Sequence, residues 1–386
     1  MAIIGGGPGG YEAATVAARM GAQVTLIEAR GLGGSAVLTD VVPSKTLIAT
    51  AEQAQETAEA SDLGITTRGV SIDMARVNER VRELATSQSA DIHASLRALG
   101  VQVIAGRASL KPGLDDRGRR RITVALVDTQ SFDVELAADI VLLATGARPR
   151  ELPSAKPDGQ RILTWAQLYG LDELPGHLVV VGSGVTGAEF AGAYRGLGAK
   201  VTLVSSRDRI LPGEDTDAAE IIERVFVERG MQIERRSRAE AVVASGEGVE
   251  VTLSDGRVIH GSHCLMAVGA VANTEGLGLA ESGVETTDSG HIRVDRVSRT
   301  TSYRVYAAGD CTGVLPLASV AAQQGRIAMW HALGDSLDPL NTEAVARAVF
   351  TSPEVAAVGI SEEGAREAGR KVRVAKLPLA RNPRAK

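Results

Sequence analysis

Residues 2–28 read AIIGGGPGGYEAATVAARMGAQVTLIE, a stretch that few folds can accommodate. A short apolar run meets a glycine cluster, a segment with small and apolar residues at helical spacing follows, and a second apolar run ends on Glu28. That order predicts strand, turn, helix and strand, one βαβ unit. Gly5, Gly7 and Gly10 fill the three glycine places of G-x-G-x-x-G. One makes the tight turn, one lets backbone approach a pyrophosphate, and one packs helix against strand. The helix then directs its first N–H groups at the phosphates, and Glu28 is placed to accept hydrogen bonds from an adenosine ribose. A glycine-rich turn without a ligand is the plainer explanation of a lone fingerprint, and this one is not alone.

A second unit starts at His177, with HLVVVGSGVTGAEFAGAYRGLGAKVTLVSS. Gly182, Gly184 and Gly187 repeat the fingerprint after a strand, so the chain contains an internal duplication. Two fingerprints imply two dinucleotides, with electrons passing between them. Where the first copy ends on an acid the second has Ser205, with Arg207 and Arg209 close behind. A carboxylate there would repel a 2′-phosphate, whereas a hydroxyl and two guanidiniums can bind one. NADPH is therefore expected to be accepted at least as well as NADH.

The length of 386 residues predicts two or three domains, and 44% hydrophobic residues supply a large core. A net charge of −5 and 3% aromatic residues leave neither a basic field nor stacking platforms, so nucleic acid is not expected as a partner. No apolar run approaches the roughly 18 residues of a spanning helix, and Glu12 and Arg19 interrupt the first helix where a signal peptide needs an unbroken apolar core. A cytoplasmic location is expected. The cysteines are Cys264 and Cys311, too few and too far apart for a disulfide framework or a C-x-x-C pair. Redox chemistry must then come from a cofactor.

From Gly31 the chain reads GLGGSAVLTDVVPSKTLIAT, a glycine-rich loop leading to a helix expected to open near Pro43 and Ser44. This stretch resembles the flavoprotein disulfide reductases, whose pattern is G-G-T-C-x4-C-x-P-S-K. Gly33, Gly34, Pro43, Ser44 and Lys45 match in register, while Ala36 and Val41 stand at the two cysteine positions. The departure resembles the cysteine-less branch described as NAD(P)H:quinone reductases. The resemblance implies an α/β fold with two Rossmann-like dinucleotide-binding domains of glutathione reductase type, followed by the start of an α+β dimerisation domain. Its expected boundaries are 1–148 with 276–343 for the discontinuous FAD domain, 149–275 for the NAD(P) domain and 344–386 for the interface domain. It also implies that Lys45 lies at the flavin and pairs with Glu189, as the two catalytic candidates, the cation stabilising negative charge on the reduced ring.

Taken onward, residues 51–99 predict two long helices with a break around Gly64 to Ser71. VQVIAGRASL, RRITVALVD and SFDVELAADIVLLATGARP predict strands, the last two as a hairpin leading to a buried strand. Ala144, Thr145 and Gly146 match the family's A-T-G turn. The family-like V-G-x-x-x-N-T turn contains Gly269, but Ala270 and Ala272 replace the arginine and proline of many relatives. His260, His263 and Cys264 cluster just before it, yet a strand alternates sides and no fourth ligand is near, so no metal is assigned. In VYAAGDCTG, Gly309 and Asp310 match the second flavin motif, and the next helix starts near Ala318, where its dipole can stabilise an anionic flavin. With Gly34 and Ser35 these complete the expected FAD contacts; Gly182, Gly184, Gly187, Ser205, Arg207 and Gly269 are those expected for NADPH or NADH. From Ala344 the sequence resembles the opening of the interface domain. Since it ends at Lys386, strands after Val355 are expected to lack partners, with a homodimer expected at full length.

The expected function is transfer of hydride from NAD(P)H to FAD, with electrons passed on to a quinone-type acceptor. Dihydrolipoyl dehydrogenase is the nearest rival and requires the thiolate pair that Ala36 and Val41 cannot supply. Soluble transhydrogenase and a catalytically idle flavoprotein subunit are the others.

Overall fold

In the computed structural model, residues 1–127, 133–336, 338–379 and 382 are described. The first unit runs β1 (Ala2–Ile4), α1 (Pro8–Arg19), β2 (Thr25–Glu28), α2 (Gly34–Leu38), α3 (Val41–Ala58), α4 (Met74–Ala98), β3 (Gln102–Leu114), β4 (Arg120–Leu126), β5 (Val134–Ala138), β6 (Val141–Leu143) and β7 (Ala147–Pro149). The second continues with β8 (Ile162–Leu163), β9 (His177–Val181), α5 (Val185–Gly196), β10 (Lys200–Val204), α6 (Thr216–Glu228), β11 (Gln232–Glu234), β12 (Ala239–Ser245), β13 (Gly248–Leu253), β14 (Val258–Gly261), β15 (His263–Met266) and β16 (Ala270–Ala272). The chain closes with β17 (Val305–Ala307), α7 (Ala318–Ala332), β18 (Ala346–Val349), β19 (Val355–Val358) and α8 (Glu362–Glu367).

Seven strands form the first sheet in the order β17-β6-β1-β2-β3-β4-β5. It is parallel from β17 to β3 and antiparallel from β3 to β5. Successive residues of the parallel strands enter opposite cores. Ile3, Leu26, Leu142 and Tyr306 pack with α1 and α7, whereas Ile4, Ile27, Leu143 and Ala307 pack with Ile122 and Val124. Burial on both faces explains why these strands read as continuous apolar runs. Helices α1 and α7 meet through glycine: a Cβ on Gly325 would lie 2.1 Å from the Gly9 carbonyl oxygen.

The second sheet, β11-β10-β9-β15-β8, is parallel throughout, and the antiparallel β12-β13-β14 meander covers one side. Its other core takes in Leu47 and Ile48 of α3 and Met74 of α4, so helices of the first unit finish the second. The chain leaves the first sheet after β6 and returns to it at β17. Where it leaves and where it comes back, β7 and β16 pair as a two-stranded antiparallel ribbon.

Two expectations are corrected. The loop at Gly31 does not run straight into one helix: α2 intervenes, and α3 opens at Val41, with Pro43 in its first turn, where a missing N–H costs nothing. The strand from Val355 does have a partner, since β19 pairs with β18. Residues Asp128 to Phe132 of the expected hairpin lie outside the described residues.

Candidate active site

The two glycine turns are built to the same dimensions. Gly5 has φ 108° and Gly182 φ 111°. A Cβ on either would stand 2.2 Å from a carbonyl oxygen, that of Ala144 or of Ala267. Cβ atoms on Gly10 and Gly187 would lie 1.9 Å and 1.8 Å from the carbonyls of Gly5 and Gly182. Gly7 and Gly184 behave differently: they open their helices at φ −72° and −70°, and among the described residues beyond their immediate chain neighbours nothing comes nearer than 3.9 Å to either added Cβ. Their faces are left clear for something other than protein. The duplication extends beyond the fingerprints, because Ala144-Thr145-Gly146 precedes β7 as Ala267-Val268-Gly269 precedes β16.

In front of the first turn is a cavity of about 1110 Å³. Its wall includes Gly5, Gly7, Glu28, Gly34, Ser35, Ala144, Thr145, Gly146, Gly309, Asp310 and Ala318, eleven of the residues expected at FAD. Gly10 is buried behind that wall in backbone contact with Gly5, and Lys45 is not on the lining. Glu28 is locked in place: one carboxylate oxygen accepts the Gly6 N–H at 2.6 Å and the other those of Ala29 and Arg30, each at 2.7 Å. Thr145 and Asn273 are cross-linked by side chain to backbone bonds of 2.7 and 3.0 Å, which fixes the turn at the cavity's edge. Asp310 lines the cavity without a side-chain hydrogen bond among the described residues, and burial raises its pKa against the smaller lowering by His291. A half-buried carboxyl with its oxygens free to accept, beside a turn that a Cβ would block, fits the hydroxyl and phosphate groups of FAD.

Lys45 on α3 and Glu189 on α5 meet across the two units, Nζ to Oε2 at 2.8 Å. The other oxygen of Glu189 accepts the Phe350 N–H at 2.9 Å, and the Lys45 ammonium lies 4.7 Å from the centre of the Phe350 ring. One buried carboxylate thus gathers both units and the C-terminal segment. Phe350 was not foreseen, because nothing local in sequence ties it to residue 189. Nor was Asp40, whose position before a helix reads as an ordinary cap. In the structure it lines the cavity, and its pKa is raised to about 6. Burial is the main cause; Lys45 lowers the value, and Glu189 and Asp310 add to the rise.

Ala36 and Val41 lie on the cavity wall, and neither cysteine does. Cys264 is sealed in the second core, where burial pushes its thiol well above the ordinary range. Cys311, also fully buried, is pushed up to about 11. His260 is exposed with Glu250 4.0 Å away, while the neighbouring His263 bonds Ser262 at 3.1 Å.

Around the second turn one expectation is corrected. Ser205 is fully buried, its hydroxyl 2.7 Å from that of Ser183 and accepting the Arg207 N–H at 3.1 Å. It shapes the loop and is not available to a phosphate. Arg209 turns away as well, reaching the Glu214 carbonyl at 3.3 Å and the Glu363 carboxylate at 3.2 Å. Arg207 stays exposed. Gly269, at φ 93°, has open space where a Cβ would stand.

A mixed α/β fold of parallel sheets with two dinucleotide turns and a cavity beside the first defines the class of flavoprotein oxidoreductases. The chain belongs to the pyridine nucleotide-disulphide oxidoreductase family: that family's model matches residues 1–325, and its dimerisation domain matches 345–386. An NAD(P)H dehydrogenase (quinone) of Mycobacterium tuberculosis is 52% identical over 389 residues, covering 100% of this chain and 78% of that protein. A dihydrolipoyl dehydrogenase of Zymomonas mobilis is 36% identical, covering 99% of this chain and 81% of its own length. The crystal structure of LpdA from Mycobacterium tuberculosis superposes with a TM-score of 0.93 at 52% identity, over 100% of this chain and 83% of that one.

Proposed function

We propose that this chain is an NAD(P)H:quinone oxidoreductase that binds FAD in the large cavity and the nicotinamide nucleotide at the second glycine turn. One observation carries the reading: both dinucleotide turns are intact, while the cavity wall has alanine and valine at positions 36 and 41 and no thiol. When bound, FAD supplies the chemistry, taking a hydride from the nicotinamide and yielding the electron pair to the acceptor. The chain's residues position and polarise. Gly5 and Gly10 set the turn, Gly7 admits the pyrophosphate, Glu28 takes the ribose hydroxyls, and Asp310 accepts hydrogen bonds further along the cofactor. The N-termini of α1 and of α7, at Ala318, turn their positive ends toward the cavity. Lys45, oriented by Glu189, supplies a fixed cation behind the cavity wall, near enough to the lining residue Asp40 to lower its pKa.

The domain division follows the ribbon, with 1–148 and 276–343 for FAD, 149–275 for the nucleotide and 344–386 for homodimerisation in the cytoplasm. With Ser205 occupied, acceptance of NADPH rests on Arg207 and on the lack of an acid at the strand end. Dihydrolipoamide is a poor substrate in this reading, because exchange needs an accessible thiolate and both thiols are buried and raised in pKa. The test is steady-state NADPH oxidation by the flavin-loaded protein with 1,4-benzoquinone and, separately, dihydrolipoamide oxidation with NAD⁺. Turnover on the quinone alone is expected; comparable dihydrolipoamide turnover that survives changing both cysteines to serine would overturn it.

A further inference from the structure

Asp40 occupies the N-cap position of α3, and its carbonyl oxygen accepts the Ser44 N–H at 2.7 Å. Its side chain does not cap the helix. Among the described residues the carboxyl has no hydrogen-bond partner, although it is largely buried and lines the cavity beside Thr39, Val41 and Pro316. The charged groups that act on it come from three elements: Lys45 on its own helix, Glu189 on α5 and Asp310 after β17. A fourth neighbour is neutral: the Tyr169 hydroxyl is buried without a partner among the described residues, and burial first, then the Asp40 charge, raises its pKa. An acidic group that is unpaired, faces the cofactor cavity and is held beside a fixed cation has the placement of a proton donor.

We propose that Asp40 delivers a proton to the oxygen of a quinone bound in this cavity against the stretch of wall that Asp40 lines. The proposal rests on the quinone-reductase reading. Reduction of a quinone by NAD(P)H consumes one hydride equivalent and one further proton. The electron pair and first proton come from the nucleotide; the second proton comes from the carboxyl. The O–H bond of Asp40 breaks, an O–H bond forms on the quinone oxygen, and the electron pair of the broken bond stays on the carboxylate, facing the cation of Lys45. Solvent then returns the proton. A carboxyl with pKa about 6 is protonated below that value, so quinone turnover should fall as pH rises through it.

The test uses the flavin-loaded protein and the variants Asp40→Asn and Asp40→Glu, with FAD content measured for each. NADPH oxidation is followed with 1,4-benzoquinone, which gains protons on reduction, and with ferricyanide, which gains none. For Asp40→Asn the ratio of benzoquinone to ferricyanide turnover at pH 6 should drop at least tenfold, and the inflection near pH 6 should vanish. Asp40→Glu should restore most of the ratio. Infrared titration, wild type minus Asp40→Asn, should show one carboxyl losing its proton near pH 6. An unchanged ratio, or no such carboxyl, overturns the proposal while the quinone-reductase reading stands. Wild-type turnover with ferricyanide but not with any quinone overturns both.

Discussion

Glu189 uses its two oxygens for two different parts of the molecule, the Lys45 ammonium and the Phe350 N–H. Truncation to alanine would leave a half-buried cation and a part-buried amide without these partners. Allowing for the partial exposure of Lys45, Glu189→Ala should cost about 3 kcal/mol in urea unfolding. Asp40 acts in the opposite sense. Its pKa is raised on folding from 3.8 to about 6, so the ionised carboxylate opposes folding fully above pH 6, and the penalty is relieved as pH falls toward 4. Asp40→Asn should therefore stabilise the flavin-free chain by up to about 3 kcal/mol at pH 7.5 and hardly at all at pH 4, read from unfolding curves at both values. At the second turn, Arg207→Ala should raise the KM for NADPH relative to NADH by the equivalent of about 1.5–3 kcal/mol. Equal losses for the two nucleotides would dismiss Arg207 as a phosphate contact. Glycines and Lys45 were legible in sequence because short-range motifs specify them. Asp40 and Ser205 were not: burial in one case, and the Ser183 hydroxyl in the other, exist only once distant segments pack.

At the level of the element, the two turns separate folding from ligand binding within three glycines. A methyl on Gly10 has no room, 1.9 Å from the Gly5 carbonyl, whereas one on Gly7 meets nothing within 3.8 Å except open cavity, its nearest atom being Gly34 Cα at 3.9 Å. Gly10→Ala should lower stability by about 3 kcal/mol. Gly7→Ala should melt like the parent chain in the absence of added flavin yet purify with little FAD, and Gly184→Ala should keep FAD while weakening NADPH. Thermal melts and absorbance of the released flavin decide both. The βαβ units were readable because their strands are apolar on both faces and their turns accept only glycine. Helix α2 was not, since five residues opened by two left-handed glycines look like loop until packing holds them.

At the scale of the molecule, the C-terminal segment is anchored inward by Arg347 to Glu214 at 3.2 Å and Arg209 to Glu363 at 3.2 Å. Its outer side shows Val358 at 68% and Leu377 at 88% exposure. A family dimerisation region with uncovered apolar side chains should self-associate weakly, so light scattering on this 386-residue chain is expected to show a dimer that dissociates on dilution into the micromolar range. A tight dimer at nanomolar concentration would refute that. The ribbon of β7 and β16 also carries a consequence for synthesis. Strand β17, an edge of the first sheet, and α7, which covers α1, emerge from the ribosome only after the whole nucleotide unit between them. The inserted unit can therefore close early on its own strands and on α3 and α4, which are already made, while the first stays incomplete, with α1 bare on one side and Asp310 not yet made. Flavin capture must then be a late event, and a nascent chain stalled before residue 305 should remain colourless however much FAD surrounds it.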